Sequence, residues 1–327
     1  MQYFVQYFYL MAVTGYSSYV ANSVFSAFSC YTAIMLNSIT IHAIRKTSSL
    51  PKPLKTLLLS LAVSDLGVGW LVLPLHVAVL VMQLEPNAEN NPVYNHSKKG
   101  YLFLLNLFYY TTFFGVTALT VDRFLAVHLH LRYQELVTHK RVVAAVISMW
   151  VFGAIISSTE LLVTARKHRF AVFVTVEVFC LITTAVLYSK IYFAVRHHAN
   201  QILHALQVQQ EAQNDEMANA ARLRKSAVSI FYVYLVFLIC YLPMNCIYFA
   251  TLITGYSTTV KVLSRYTLTL VFLNSLLNPL IYCWKMRQIR HAVMDILRKI
   301  VPSGHNWEKL WTVGSKCSTN WNRNLLF

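Results

Sequence analysis

Chemistry in this chain is to be sought where ionisable and amide side chains interrupt long apolar runs. Asp122 and Arg123 end the run 100–127, GYLFLLNLFYYTTFFGVTALTVDRFLAV. An arginine at the rim of a bilayer's hydrocarbon is costly unless it snorkels, pairs or faces a polar cavity. The adjacent Asp-Arg pair therefore reads either as an interfacial anchor or as a switch. Asp65 lies inside the run LAVSDLG, and Asn37, Thr112, Asn274, Ser275 and Asn278 lie inside other runs. A carboxylate among hydroxyl and amide oxygens is the hard-oxygen environment that a small cation prefers. A protonated Asp65, hydrogen-bonded between helices, would need no ion, and spacing alone leaves both readings open.

The elements that must position these groups follow from composition. The chain of 327 residues is 57% hydrophobic and 12% charged, where a soluble domain carries about 25% charged residues. Its mean hydropathy is +0.49. This is the profile of a polytopic membrane protein. The net charge of +16 alternates with apolar spans and forms no basic patch in a soluble region, so it reports topology and not nucleic acid. The opening residues MQYFVQYFYLMAVTG have no basic leader or cleavage site, so the first span is expected to act as the insertion signal. Of six cysteines, Cys30, Cys180, Cys240, Cys246 and Cys283 fall in or beside spans and Cys317 in the tail. No extracellular disulfide is expected, and metal spacing of the CxxC type is absent.

Seven runs are long enough to cross about 30 Å of hydrocarbon: 22–45, 54–81, 100–127, 141–164, 170–196, 226–254 and 259–283. The fold class expected is all-α, a seven-helix membrane bundle. A short extracellular segment 1–21 precedes a receptor-sized bundle 22–283, and a tail 302–327 ends the chain. Between them, 284–301 carries Met286, Ile289, Val293, Ile296, Leu297 and Ile300 at helical spacing, against Arg287, Arg290, His291, Arg298 and Lys299. That pattern predicts an amphipathic helix on anionic lipid, ended by Pro302 and Gly304. Lys and Arg concentrate on the side of Arg45, Lys46, Arg132, Arg141, Arg196, Arg222 and the tail, which places the amino terminus outside and the carboxyl terminus in the cytoplasm. Asn95-His96-Ser97 is then a glycosylation sequon in the first outer loop. The Gln- and Ala-rich loop 197–223 lacks Pro and Gly and is expected to prolong the fifth and sixth spans as helices. Pro74, Pro243 and Pro279 lie inside spans and permit kinks around a cavity.

These motifs form a set, one per span and in order: Asn37, Leu61-Ala62-Val63-Ser64-Asp65, Asp122-Arg123-Phe124, Trp150, Tyr188, Cys240-Tyr241-Leu242-Pro243 and Asn278-Pro279-Leu280-Ile281-Tyr282. The chain thereby resembles the rhodopsin-like (class A) G-protein-coupled receptors over nearly its whole length. The resemblance implies that Arg123 is the G-protein-facing switch, with Asp122 as its resting partner and Phe124 beside it. Tyr188 and Tyr282 would swing in on activation, and Tyr241 would take the toggle position under a ligand. It also implies an allosteric sodium site at Asp65, Thr112, Asn274, Ser275 and Asn278.

The departures are equally specific. Phe124 stands where the family usually has Tyr, and Tyr241 where it has Trp. Leu223, between Arg222 and Arg224, replaces the acid that often restrains the switch arginine. Elevated basal signalling is the expectation. Lys98 takes the place of the cysteine that ties the third span to the second outer loop. The missing disulfide, the very short second outer loop, Cys180 in the fifth span and LRYQELVTHKRVV are similar to the melanocortin branch, within the melanocortin, adenosine and cannabinoid receptor group. Leu75, Lys98 and Leu102 do not match the outer acids of melanocortin receptors. Leu105 in place of an amine-binding Asp disfavours a biogenic amine, and Phe272 in place of a retinal-bearing Lys disfavours photoreception.

By the same resemblance, Asn106, Tyr109, Glu160, Phe173, Glu177, Tyr241, Asn245, Tyr248, Leu268 and Phe272 would line the ligand pocket. Glu177 would either bind a ligand cation or hydroxyl, or clip to Asn245 across helices. Arg166, Lys167, His168 and Arg169 would anchor in headgroups or attract an anionic or lipid-like ligand. The implied partners are a heterotrimeric G protein, arrestin, membrane lipids and an extracellular small-molecule, lipid or peptide ligand, with no nucleic acid. Sodium apart, no cofactor is implied, and no enzymatic activity. A channel or transporter, or a decoy receptor that binds without coupling, is the alternative.

Overall fold

In a computed structural model the backbone is described for residues 2–85, 87–129, 132–163, 165–206, 214–255 and 257–300. The side chains of 2–18, 166, 195, 197–206, 214–230, 254, 258, 259, 261, 299 and 300 lie outside the description. The expectations on Arg166, Leu223 and its flanking arginines, Pro302, Gly304 and Cys317 therefore fall outside the described residues. Those residues form α1 (Gln2–Lys46), α2 (Lys52–Gly67), α3 (Leu73–Met82), α4 (Pro92–Leu129), α5 (Tyr133–Leu136), α6 (His139–Leu162), α7 (Arg166–Leu206), α8 (Asn214–Thr254), α9 (Thr258–Lys285) and α10 (Arg287–Ile300). Seven helical stretches are long and apolar enough to span a membrane, and they coincide with the seven apolar runs.

The differences lie at the ends. α1 runs without a break through 2–21, so its helix begins well before the apolar run. α4 starts two turns ahead of Gly100, with Pro92 at its first position, where a missing N–H costs nothing. The Asn91 side chain accepts from Val93 N at 2.9 Å and closes that end. α7 reaches Leu206 and α8 starts at Asn214, so the fifth and sixth helices do extend past the bilayer.

The second span is not one regular helix. A π-turn, Val68–Val72, joins α2 to α3 directly before Pro74. The extra residue per turn absorbs the proline's missing hydrogen bond and rotates the outer half of the span. Cys30 Sγ on α1 donates to Gly69 O, at 3.1 Å, within that turn.

Helices close on one another through small residues and shared polar contacts. A Cβ on Gly67 would stand 2.2 Å from the Phe108 ring, so hydrogen at that position lets α2 and α4 touch. Phe108 in turn meets the Trp150 ring edge-on at 5.8 Å, and Trp150 Nε1 donates to Ser60 Oγ at 3.3 Å, tying α6 to α2. Asn37 Nδ2 donates to Ser275 O at 3.0 Å and joins α1 to α9. In α10, Ile289 and Ala292 are buried, and Met286, Val293 and Ile296 pack on the same core. Leu297, expected on the apolar face, is not covered by the bundle.

Candidate functional site

The expected switch pair lies at the inner end of α4. Asp122 and Arg123 are both buried, so each needs a partner inside the protein. Arg123 Nε donates to Asp122 Oδ2 at 2.9 Å, and Arg123 Nη2 contacts the same oxygen. The other oxygen, Oδ1, accepts from the Tyr133 hydroxyl at 2.6 Å. Tyr133 sits on the short helix α5, which no apolar periodicity marks, and sequence reasoning missed it. The only signal was a tyrosine in the turn that follows the third span. Burial, and then the Asp122 carboxylate, push the Tyr133 phenol upward, so it stays a proton donor at neutral pH. Phe124 packs beside His128 at 4.1 Å between ring centroids.

Tyr188 on α7 is buried and stacks on Tyr234 of α8 at 4.8 Å. Its hydroxyl has no hydrogen-bond partner, with Thr120 and Arg123 in its surroundings. Tyr282 is 1% exposed and its hydroxyl is likewise unpartnered. Both tyrosines sit inside the bundle with polar ends unspent, as groups that change partners between two packings would be.

All five residues expected to line a sodium site, Asp65, Thr112, Asn274, Ser275 and Asn278, are buried. Asn278 Nδ2 donates to Asp65 Oδ2 at 2.9 Å. Asp65 Oδ1, both polar atoms of Asn274 and Asn278 Oδ1 have no hydrogen-bond partner. Ser64, next to Asp65 in sequence, adds a contact with Thr112 at 3.3 Å between hydroxyl oxygens. Among the described residues no group of three or more His, Cys, Asp or Glu could hold a metal, so a transition-metal site is not in view here. One carboxylate among neutral oxygens suits a weakly bound monovalent cation.

Above this cluster lies a small cavity walled by Val68, Leu105, Tyr109, Tyr241, Val271, Phe272 and Ser275. Its volume is about 10 Å³, room for about one water. Pockets for drug-sized ligands run to about 300–1,000 Å³, so this cavity as it stands is too small for one. Tyr241, at the toggle position, is 3% exposed. It stacks on Phe237 at 4.4 Å and stands edge-on to Phe113 at 5.2 Å and tilted to Tyr109 at 4.9 Å. Thr112, Asn274 and Asp65 lie beneath it.

The remaining pocket residues divide. Phe173, Glu177 and Asn245 are buried with Asn106 and Tyr109 between the helices, while Tyr248 and Leu268 are partly buried against the core. The Glu177–Asn245 clip is not formed. Asn245 Nδ2 donates within its own helix to Tyr241 O at 3.2 Å, and neither Glu177 oxygen has a hydrogen-bond partner. Glu160 is drawn to the α6–α7 turn, where Arg169 Nη1 stands 3.5 Å from its Oε1 and also donates to Val163 O at 3.1 Å. Arg169 is thus no free headgroup anchor. Asn95 is exposed, but it sits in the first turns of α4 and not in a loop, and its Nδ2 donates to Glu89 O at 2.9 Å.

A family model described as "7 transmembrane receptor (rhodopsin family)" matches residues 36–282. Among similar proteins, the adenosine receptor A3 of Canis lupus familiaris is 22% identical, over 88% of this chain and 95% of that receptor. The adenosine receptor A3 of Ovis aries is 23% identical, over 82% and 87%. The adenosine receptor A2b of Gallus gallus is 23% identical, over 88% and 89%. With its seven helices fit to span a membrane and its match across most of its length, this chain belongs to the rhodopsin family of seven-transmembrane receptors.

Proposed function

We propose that the chain is a plasma-membrane receptor, not an enzyme, that binds an extracellular small molecule between its outer helix halves and activates a heterotrimeric G protein. The amino terminus faces outward and the basic inner loops face the cytoplasm, where arrestin would be a second partner. One observation carries the reading. A buried line of polar groups runs from the cavity floor to the switch: Tyr241 lies over Asn274 and Asp65, Asp65 bonds Asn278, and Tyr282 follows one turn inward. Several of these groups have unspent hydrogen bonds. Such a line has more than one satisfied arrangement, which is what a ligand needs in order to shift a population.

The oxygens of Asp65, Thr112, Asn274, Ser275 and Asn278 would hold a sodium ion in the resting packing. The unpartnered Asp65 Oδ1, Asn274 Oδ1 and Asn278 Oδ1 support that assignment. The ion's positive charge would offset a carboxylate that is otherwise costly so deep in the bundle. The names of the relatives make adenosine the first ligand to try.

The test is guanine-nucleotide exchange on G proteins reconstituted with the receptor in membranes. Exchange above that of empty membranes, abolished by Arg123→Ala at unchanged expression, is the expected result. Binding of a ligand without any exchange would favour a decoy, and ion flux across sealed vesicles would favour a channel.

A further inference from the structure

The outer half of the bundle holds a buried carboxyl group that phenols face and that, among the described residues, no cation accompanies. Glu177 on α7 is 0% exposed, and both of its oxygens lack a hydrogen-bond partner. The phenols of Tyr109 and Tyr110 on α4 face it, close enough that a small adjustment lets them donate, with Tyr248 of α8 beside them. Rings close the space around it. Tyr110 and Phe173 are 5.6 Å apart, Phe173 and Tyr248 are 6.5 Å apart, and Tyr109 meets Tyr110 edge-on at 5.4 Å. Phe173 is one turn outward from Glu177 on the same helix. On α8, three residues from Tyr248, Asn245 is buried and its Oδ1 is a second unpartnered acceptor, because its amide nitrogen is held by Tyr241 O.

A buried carboxyl faced by phenols alone lacks a counter-charge, and aromatic faces around it favour a cation over a neutral group. We propose that Glu177 and its cage of Tyr109, Tyr110, Phe173 and Tyr248 take the protonated amine of a small aromatic ligand, with Asn245 Oδ1 accepting a further N–H. The cation is thus seated on the fifth-helix side of the cavity, and not at Leu105 on the third helix. The ligand's ring system would extend past Tyr109, whose side chain both faces Glu177 and lines the small central cavity. Entry requires the Tyr109 and Tyr248 rings to swing aside, so binding at Glu177 also moves a ring in contact with the toggle residue Tyr241. A cation offsets the cost of an ionised carboxyl buried this deep, which ties affinity to charge.

This inference rests on the ligand-cavity reading, and its test reads binding directly so that a failure to couple to G protein does not affect it. Purified receptor in lipid nanodiscs is titrated with phenethylamine, tyramine and tryptamine, and separately with their neutral alcohol counterparts and adenosine. Thermal unfolding reports occupancy. At least one amine should raise the melting temperature at concentrations where its alcohol does not. Glu177→Gln, which keeps shape and removes charge, should weaken that amine at least about tenfold. Tyr248→Ile, which removes one cage ring and leaves the carboxyl, should weaken it by a smaller factor and provides a second variant if the first does not fold. Equal shifts from amine and alcohol, an amine shift unchanged in Glu177→Gln, or no shift from any amine overturns the proposal. Stabilisation by adenosine alone overturns it in favour of a neutral ligand.

Discussion

The hydroxyl of Tyr133 donates to Asp122 Oδ1 at 2.6 Å while Arg123 holds Asp122 Oδ2. Both carboxylate oxygens are thus engaged, one by the arginine and one by a residue on the following short helix. Arg123 is held through Asp122, and Asp122 is itself oriented by Tyr133. If Arg123 is the switch proposed above, this three-residue arrangement would restrain it.

Tyr133→Phe removes one hydrogen bond to an ionised carboxylate and leaves the ring. Such bonds are worth about 1.5–3 kcal/mol, less where water competes as it does at this half-buried tyrosine. Ligand-free nucleotide exchange is expected to rise about three- to tenfold, because about 1.4 kcal/mol is tenfold in a population. Surface expression should be unchanged. An exchange rate equal to that of the unaltered receptor would remove Tyr133 from the switch.

A second restraint spans the inner ends of α8 and α9. The Lys285 ammonium lies 3.7 Å from the Tyr232 ring centroid and 3.6 Å from that of Trp284. Outward movement of α8 would break the first of these contacts. A cation–π contact at a partly exposed site is worth about 0.5–1 kcal/mol, or about two- to fivefold in basal exchange. Tyr232→Leu and Lys285→Met should each show this rise, and the double variant no more than either one. Additive effects would mean that the two residues act separately.

Sodium dependence separates the two readings of Asp65. Replacing potassium by sodium at constant ionic strength should lower basal exchange in the unaltered receptor and leave Asp65→Asn unaffected. If both respond alike, Asp65 is an interhelical hydrogen-bond partner and not an ion ligand.

Gly67→Ala tests the α2–α4 contact. Its new Cβ would fall 2.2 and 2.4 Å from two atoms of the Phe108 ring, and the ring is held against Trp150. Overpacking of this kind costs about 1–3 kcal/mol. The melting temperature should fall, and Phe108→Leu should recover part of the loss in the double variant. A Gly67→Ala receptor as stable as the original would show that Phe108 can move freely.

The amino-acid sequence by itself determined the seven spans, because about 20 consecutive apolar residues have no other favourable place than a bilayer. It also showed that Asp65, Asn274, Ser275 and Asn278 are too polar for lipid; all four are buried, and Asn278 bonds Asp65. The need of Asp122 and Arg123 for partners was legible for the same reason, since charges at a span's end must pair or reach water, and the two are buried against each other.

Tertiary structure decided what depends on contacts between distant segments. Tyr133 reaches Asp122 only because the chain turns back after α4, and nothing in the periodicity of 130–140 records that turn. Asn245 was expected to meet Glu177, yet a carbonyl one helical turn away satisfies its amide, since a local acceptor is available wherever the side chain bends back on its helix. Glu160 left the cavity side for Arg169, as a short α6–α7 connection brings opposite charges together at the outer rim. Spacing says which residues cannot face lipid, and packing says which of them face one another.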